Sequence, residues 1–257
     1  MMKSKNKEIR ILADADAMSR AAAETIINHI SDCLETRTNY SIALSGGSTP
    51  KLLFSLLAND AALRDRIPWE RIHFFWGDER RVPPDHPDNN YLMADNLLLS
   101  KVPVPSSNIH RIHAENADPD RAAADYEIEI RRFFGIEAGQ IPRFNCVLLG
   151  MGTDGHTASL FPGAAALAET QKLVVANRVK KNKSLRFTLT LPVFNHAALI
   201  LFLVSGEDKA DTLKAVLEEN PQPDRYPAQG IQPADGELIW FLDRSAASRL
   251  TRLKRKR

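Results

Sequence analysis

The chain has 257 residues, of which 44% are hydrophobic, 26% charged and 7% aromatic, and this globular composition excludes intrinsic disorder and low complexity. The formal net charge is +2, and six basic side chains lie between positions 249 and 257, so the rest of the chain carries a small net negative charge. This mildly acidic body predicts no nucleic-acid partner. The longest apolar run, residues 197–204, is far shorter than the ~20 residues that span a bilayer, so we expect no membrane partner and a cytoplasmic protein.

Helix-length amphipathic segments alternate with short apolar runs along the whole chain. Several predicted strands are apolar at consecutive positions, which is typical of parallel strands covered on both faces by helices. The pattern therefore predicts an α/β fold with a mostly parallel central sheet. In chain order we predict helix 17–35, strand 40–44, helix 50–57, strand 72–76, helix 89–99, helix 120–134, strand 144–149, strand 173–176, strand 187–191, strand 199–204, helix 208–219 and strand 238–242.

The chain is predicted to form one domain over residues 1–257, because no repeat or low-complexity linker divides it. Residues 248–257 form a basic tail, interpreted as a solvated terminus or a weak tether to anionic partners. Cys33 and Cys146 stand in no metal-ligand spacing, so neither a structural metal nor a disulfide is expected.

Polar, glycine-containing segments follow four of the predicted strands. In an open parallel sheet, ligands bind beyond the carboxyl ends of the strands. We therefore expect these segments to converge on one edge of the sheet. They are residues 45–50, 77–81, 150–157 and 205–209.

The first polar segment reads S-G-G-S-T-P between a strand and a helix, the arrangement of an anion cradle. Its candidate binding residues are Ser45, Gly46, Gly47 and Ser48. It is neither a Walker loop nor a dinucleotide fingerprint, since it lacks G-K-[ST] and G-x-G-x-x-G. Two alternatives are a tight turn capped by Ser48 or Thr49, and a nucleophile elbow with Ser45 as the nucleophile.

Three cationic side chains are candidates for holding a phosphate, because an acidic protein must concentrate positive charge locally to bind a dianion. They are Arg80, Arg186 and Lys209. Lys209 is predicted in the first turn of a helix, where a cation is electrostatically unfavourable, and this placement indicates a bound anion. For each of the three, the alternative is an ordinary surface charge.

The third polar segment, G-M-G-T-D-G-H-T, carries Asp154 and His156. Histidine can accept a proton from water at neutral pH, and a nearby carboxylate can orient it. The spacing argues against a serine triad, which needs the acid behind the imidazole and the serine in front. The alternative is a histidine whose ring bonds only to loop carbonyls.

Six motifs together resemble the 6-phosphogluconolactonase family, and the resemblance covers roughly residues 8–247. The fold it implies is Rossmann-like and similar to that of the glucosamine-6-phosphate deaminases. Those deaminases share the phosphate loop and the D-G-H segment, but carry a glutamate where Phe161 stands before Pro162. The motifs are SGGSTP at 45–50, DER at 78–80 with NNY at 89–91, GMGTDGHTASLFP at 150–162, TLTLP at 188–192, SGEDK at 205–209 and DGELIWFLD at 235–243.

The resemblance implies hydrolysis of 6-phospho-D-glucono-1,5-lactone to 6-phospho-D-gluconate in the oxidative pentose phosphate pathway, without a cofactor or metal. His156 would activate water, and Asp154 would orient the loop or the imidazole. Asp78 and Asn90 would contact sugar hydroxyls. Residues implied to bind the 6-phosphate are Ser45, Gly46, Gly47, Ser48, Arg80, Arg186 and Lys209.

Two other functions remain open at this stage. One is a deaminase-like isomerase, and the other is a non-catalytic sugar-phosphate sensor. The absence of a glutamate before Pro162 counts against the isomerase, and the intact D-G-H segment counts against the sensor. The expected partner is a small sugar-phosphate lactone, and both a monomer and a homodimer are compatible with the sequence.

Overall fold

The computed structural model describes residues 7–179 and 184–251. Its strands are β1 (Lys7–Leu12), β2 (Tyr40–Leu44), β3 (Ile72–Trp76), β4 (Asp78–Arg80), β5 (Cys146–Leu149), β6 (Val174–Val179), β7 (Ser184–Leu189), β8 (Leu199–Val204) and β9 (Glu237–Asp243). Its helices are α1 (Ala15–Leu34), α2 (Ser48–Asn59), α3 (Ala61–Arg64), α4 (Asn90–Leu97), α5 (Pro119–Phe134), α6 (Leu191–Asn195) and α7 (Ala210–Glu218). Of the predicted basic tail, residues 252–257 lie outside the described residues.

The central sheet confirms the predicted α/β fold class. Its six strands are all parallel and run in the order β1-β9-β8-β5-β2-β3. Strands β2 and β8 are buried along their whole length, and the uninterrupted apolar sequence of β8 predicts this burial. Between β8 and β9, Phe202 and Trp240 are register partners whose rings stack 3.8 Å apart in the core.

A second, smaller sheet contains the strands that lie outside the parallel sheet. The predicted strands 173–176 and 187–191 correspond to β6 and β7, which pair antiparallel with each other, while β7 also pairs with β4. Strand β4 has three residues and was not predicted, because so short a segment shows no periodicity. It begins one residue beyond β3, so the small sheet lies beside the carboxyl edge of the large one.

Strand β1 was also missed. It lies at the edge of the central sheet and pairs only with β9, and most of its side chains are exposed or half-buried. Its sequence, KEIRIL, therefore lacks the continuous apolar run that identified the inner strands.

The helix termini correct two expectations about where helices begin. At the start of α5, the Asp118 carboxylate accepts from the backbone N–H groups of Asp120 and Arg121. The predicted cap by Ser48 or Thr49 is wrong, because α2 begins at Ser48 and Gly47 occupies its N-cap without a side-chain bond. Lys209 does not lie inside a helix either. It ends the 3₁₀ turn Glu207–Lys209, and α7 follows it.

Within residues 7–179 and 184–251, no helix combines the length and the apolar character needed to cross a membrane.

Candidate active site

The four polar segments meet at the carboxyl ends of β2, β3, β5 and β8, as predicted. They surround a cavity of about 160 Å³, which Arg186 of β7 also lines. All but two of the predicted site residues line it, the exceptions being Asp154 and Asn90. The lining residues are Ser45, Gly46, Gly47, Ser48, Thr49, Pro50, Asp78, Arg80, Gly150, Met151, Gly152, His156, Ala158, Arg186 and Lys209.

The first segment forms an open helix start. Gly47, the N-cap of α2, has φ +103°, a left-handed conformation that favours glycine. No side chain caps this helix, so the backbone N–H groups of its first turn remain available to a ligand. The Ser45 hydroxyl donates to the carbonyl of Gly46 at 3.3 Å. A helix N-terminus with unbonded donors attracts anions, which is the property predicted for this segment.

Two arginines stand side by side at the cavity. Arg80 of β4 and Arg186 of β7 are register partners in the small antiparallel sheet. Burial and then the neighbouring Arg80 charge lower the pKa of Arg186. Arg80 donates to the carbonyl of Asp88 at 2.7 Å, whereas its buried Nε has no hydrogen-bond partner among the described residues. Two partly buried like charges with an unused donor are arranged for a bound anion.

Lys209 supplies the third cationic side chain of the cavity and pairs with the carboxylate of Asp208. The loop that carries it is anchored from β9. Buried Asp243 accepts from the Ser205 hydroxyl at 2.5 Å, from the N–H of Gly206 at 3.1 Å and from the N–H of Ala246 at 2.7 Å. Asp243 therefore fixes the direction of the loop, a role that the sequence pattern did not reveal.

Asp154 and His156 form a hydrogen-bonded pair. The distance from the imidazole Nδ1 to the Asp154 Oδ1 is 2.5 Å, and the backbone N–H of His156 donates to the same oxygen at 3.2 Å. The hydrogen bond from the imidazole lowers the pKa of Asp154 to about 2, so the carboxylate is ionised at neutral pH and can only accept. Nδ1 therefore carries the proton, and the lone pair of Nε2 is available to accept another.

A tight turn makes this pairing possible between residues only two apart. Gly152 donates to the carbonyl of His156 at 2.9 Å, and Gly155, with φ +80°, donates to the carbonyl of Gly152 at 3.0 Å. A Cβ on Gly152 would lie 2.1 Å from Nδ1 and Cε1 of His156, so only glycine fits there. The spacing argument against an acid behind the imidazole was therefore wrong, because the turn places Asp154 at that position.

Asp78 and Asn90 lie side by side below the first segment. Asp78 lines the cavity, and its Oδ2 accepts from the Ser159 hydroxyl at 2.7 Å. Asn90 is buried behind Gly46, where a Cβ would come within 1.8 Å of its Oδ1, and it donates to the Asp78 carbonyl at 2.9 Å. Asn90 thus supports Asp78 through a hydrogen bond and packs directly against the backbone of Gly46 in the cradle.

Glu79 is a site-supporting residue that sequence reasoning missed. On the short strand β4 it points opposite to its neighbours Asp78 and Arg80, and it is completely buried. Its carboxylate accepts backbone N–H groups of Arg80, Asn90 and Tyr91 at 2.7 to 2.9 Å. Burial raises the pKa of Glu79 to about 7 despite these bonds. The DER motif contained this residue, but only the strand alternation shows its separate role.

No group of three or more histidine, cysteine, aspartate or glutamate side chains in the described part of the chain is placed to hold a metal ion. The expectation of a reaction without a metal or cofactor stays a prediction.

The fold and the site define an α/β protein with an anion cradle and an Asp–His pair at one edge of a parallel sheet. The chain belongs to the family of glucosamine-6-phosphate isomerases/6-phosphogluconolactonase, whose model matches residues 13–240. It is 42% identical to a 6-phosphogluconolactonase of Synechocystis, over 95% of this chain and 98% of that protein. The predicted resemblance is therefore confirmed.

Solved structures agree with this family assignment. The 6-phosphogluconolactonase from Trypanosoma cruzi superposes with a TM-score of 0.84 at 31% identity, covering 97% of this chain and 98% of that one. A monomeric glucosamine-6-phosphate deaminase superposes with a TM-score of 0.79 over 95% of this chain and 100% of that one. At 19% identity the deaminase shows a shared fold alone.

Proposed function

We propose that this protein hydrolyses 6-phospho-D-glucono-1,5-lactone to 6-phospho-D-gluconate, the lactone-opening step of the oxidative pentose phosphate pathway. One observation carries the proposal: His156, oriented by Asp154, faces the same cavity as the anion cradle and its arginines. The family and the named lactonase relatives support the choice of substrate.

The phosphate of the substrate binds first and holds the lactone in place. The open start of α2 supplies backbone and hydroxyl donors from Ser45 to Ser48, and Arg80, Arg186 and Lys209 supply charge-assisted hydrogen bonds. Binding energy from this remote group fixes the ester carbonyl near His156, so that attack by water becomes effectively intramolecular.

His156 then acts as the general base. Nε2 accepts a proton from water while the water oxygen forms a bond to the lactone carbonyl carbon. The resulting imidazolium is stabilised by the ionised Asp154 carboxylate at 2.5 Å. When the tetrahedral intermediate collapses, the bond from the carbonyl carbon to the ring oxygen breaks, and the imidazolium returns its proton to that oxygen. The products are a free hydroxyl and a carboxylic acid, which ionises.

Asp78 and Asn90 complete the sugar site. The Asp78 carboxylate lines the cavity and accepts hydrogen bonds from sugar hydroxyls. The Asn90 amide donates to the backbone carbonyl of Asp78. We therefore assign Asn90 a supporting role in the contact between Asp78 and the sugar hydroxyls. The reaction takes place in the cytoplasm and needs neither cofactor nor metal. The protein acts as a monomer or a homodimer, which light scattering distinguishes.

The assay must separate lactone hydrolysis from the spontaneous reaction. Glucose-6-phosphate dehydrogenase generates the lactone in situ, and the formation of 6-phosphogluconate is followed with and without this protein. Acceleration above the spontaneous rate is expected. No acceleration, combined with release of ammonia from glucosamine 6-phosphate, would support the isomerase instead. Phosphosugar binding without either activity would support the sensor.

A further inference from the structure

The ring of Phe161 lies between the general base and one of the phosphate-binding arginines. It stacks on the imidazole of His156 with ring centroids 4.3 Å apart and 27° between the planes. The Arg186 guanidinium carbon lies 6.0 Å from the centre of the same phenyl ring. One apolar side chain therefore contacts both halves of the proposed site.

A strained turn holds Phe161 in this position. Ala158 has φ +47°, a left-handed conformation that is uncommon for a residue with a Cβ and is found most often at functional sites. The turn closes where Leu160 donates to the carbonyl of Thr157 at 2.9 Å. Buried Ser159 anchors the turn with two hydrogen bonds: its hydroxyl donates to the Asp78 carboxylate, and its backbone carbonyl accepts from the Asn177 side-chain amide at 2.8 Å. The chain thus returns toward His156 along a fixed path.

The same ring separates two spaces. His156 and Arg186 line the proposed substrate cavity of about 160 Å³, whereas Phe161 and Asp154 line a neighbouring cleft of about 1080 Å³. Without the ring, the imidazole would lose the face that it packs against and would adjoin the larger cleft. Its orientation would then depend on the Asp154 hydrogen bond and on the contact with Gly152.

We propose that Phe161 is a positioning residue that holds the His156 imidazole in the plane in which Asp154 binds Nδ1 and Nε2 meets the attacking water. This inference rests on the proposed function. Phe161 transfers no proton and binds no substrate group, and it acts through the flat face of its ring on the imidazole. A flat aromatic ring should therefore replace it, and an aliphatic side chain of similar volume should not.

Three variants test the proposal kinetically. In Phe161→Leu we expect kcat to fall roughly 10- to 100-fold with KM within about threefold, because the base is misplaced while the phosphate contacts remain. Phe161→Tyr should keep kcat within about threefold. The matched control is Phe133→Leu, which removes another phenylalanine ring packed on a histidine, 4.6 Å from His73 and outside the site. It should leave both constants unchanged.

Proton NMR of the histidine rings supplies a readout that needs no activity. The His156 ring protons, assigned by their loss in His156→Ala, should be shifted upfield by the stacked phenyl ring in wild type and in Phe161→Tyr, and should move downfield in Phe161→Leu. Unchanged kcat in Phe161→Leu, an equal loss in Phe161→Tyr, a rise in KM alone, or unmoved ring signals would each overturn the proposal. An inactive wild type with the upfield signals present would instead overturn the proposed function.

Discussion

The segment that carries His156 and the segment that begins α2 face each other across one cavity, but they differ in whether their polar groups already have partners within the protein. In the base segment, partners come from the segment itself: Asp154 bonds to His156, Gly152 donates to the His156 carbonyl and Phe161 covers the ring. In the cradle, the helix start has no side-chain cap and two arginines lie together. The polar groups of the base segment bond to one another, whereas the cradle presents backbone donors and positive charge to an anion.

This difference separates chemistry from binding. A preorganised base loses little free energy to reorientation during the reaction, so its contribution is expected mainly in kcat. A cradle of unbonded donors and neighbouring positive charges gains its favourable interactions only with the phosphate, so its contribution is expected mainly in binding. Substitutions in the two regions should therefore change different kinetic constants.

Asp154→Asn should produce the largest of the following effects, a fall in kcat of roughly 10²- to 10⁴-fold. The amide can donate to Nδ1, which favours the imidazole tautomer whose Nε2 is already protonated and cannot accept a proton. Single-turnover kinetics would measure the loss. Asp125→Asn on the exposed face of α5 serves as control, and a kcat within threefold of wild type in Asp154→Asn would contradict the assignment.

Arg186→Gln should raise KM about 10- to 100-fold and lower kcat much less, because it removes a charge-assisted contact to the phosphate that is present throughout the reaction. Steady-state kinetics at several lactone concentrations would show this. Arg178→Gln, on the neighbouring strand β6 but exposed, should leave KM unchanged. A fall in kcat at constant KM in Arg186→Gln would break the division between the two regions.

Two glycine substitutions compare the regions directly, each with an expected effect of about tenfold. In Gly152→Ala the new Cβ would meet the His156 ring at 2.1 Å, so kcat should fall. In Gly46→Ala it would meet the Asn90 Oδ1 at 1.8 Å and distort the cradle, so KM should rise. The same kinetic change in both variants would show that the two segments do not act separately.

Glu79→Gln should change the pH dependence of stability. Burial raises the pKa of Glu79 from its ordinary 4.5 to about 7, so its contribution to stability is present below pH 4.5 and is lost as the pH rises through 7. Because glutamine does not titrate, the stability of the variant relative to wild type should increase from pH 5 to pH 8. Urea unfolding at both pH values tests this, with exposed Glu70→Gln as control. A difference independent of pH would contradict it.

The sequence predicted the inner strands and the meeting of the four polar segments, because continuous apolar runs indicate buried parallel strands whose carboxyl ends share one edge. It did not predict the small antiparallel sheet, since β4 has three residues and strand patterns do not identify pairing partners. The pairing of Asp154 with His156 depends on a turn, and the stacking of Phe161 depends on a positive φ at Ala158. Neither is encoded in residue spacing.

The most direct test of the division between base and cradle combines two measurements on His156→Ala. One is kcat for lactone hydrolysis, and the other is the Kd for the product 6-phosphogluconate, measured by calorimetry. The structure predicts a kcat at least about 10²-fold below wild type, with a Kd within about threefold, because the phosphate contacts are untouched. Retained turnover would remove His156 as the base, and a parallel loss of product binding would show that base and cradle are not separate.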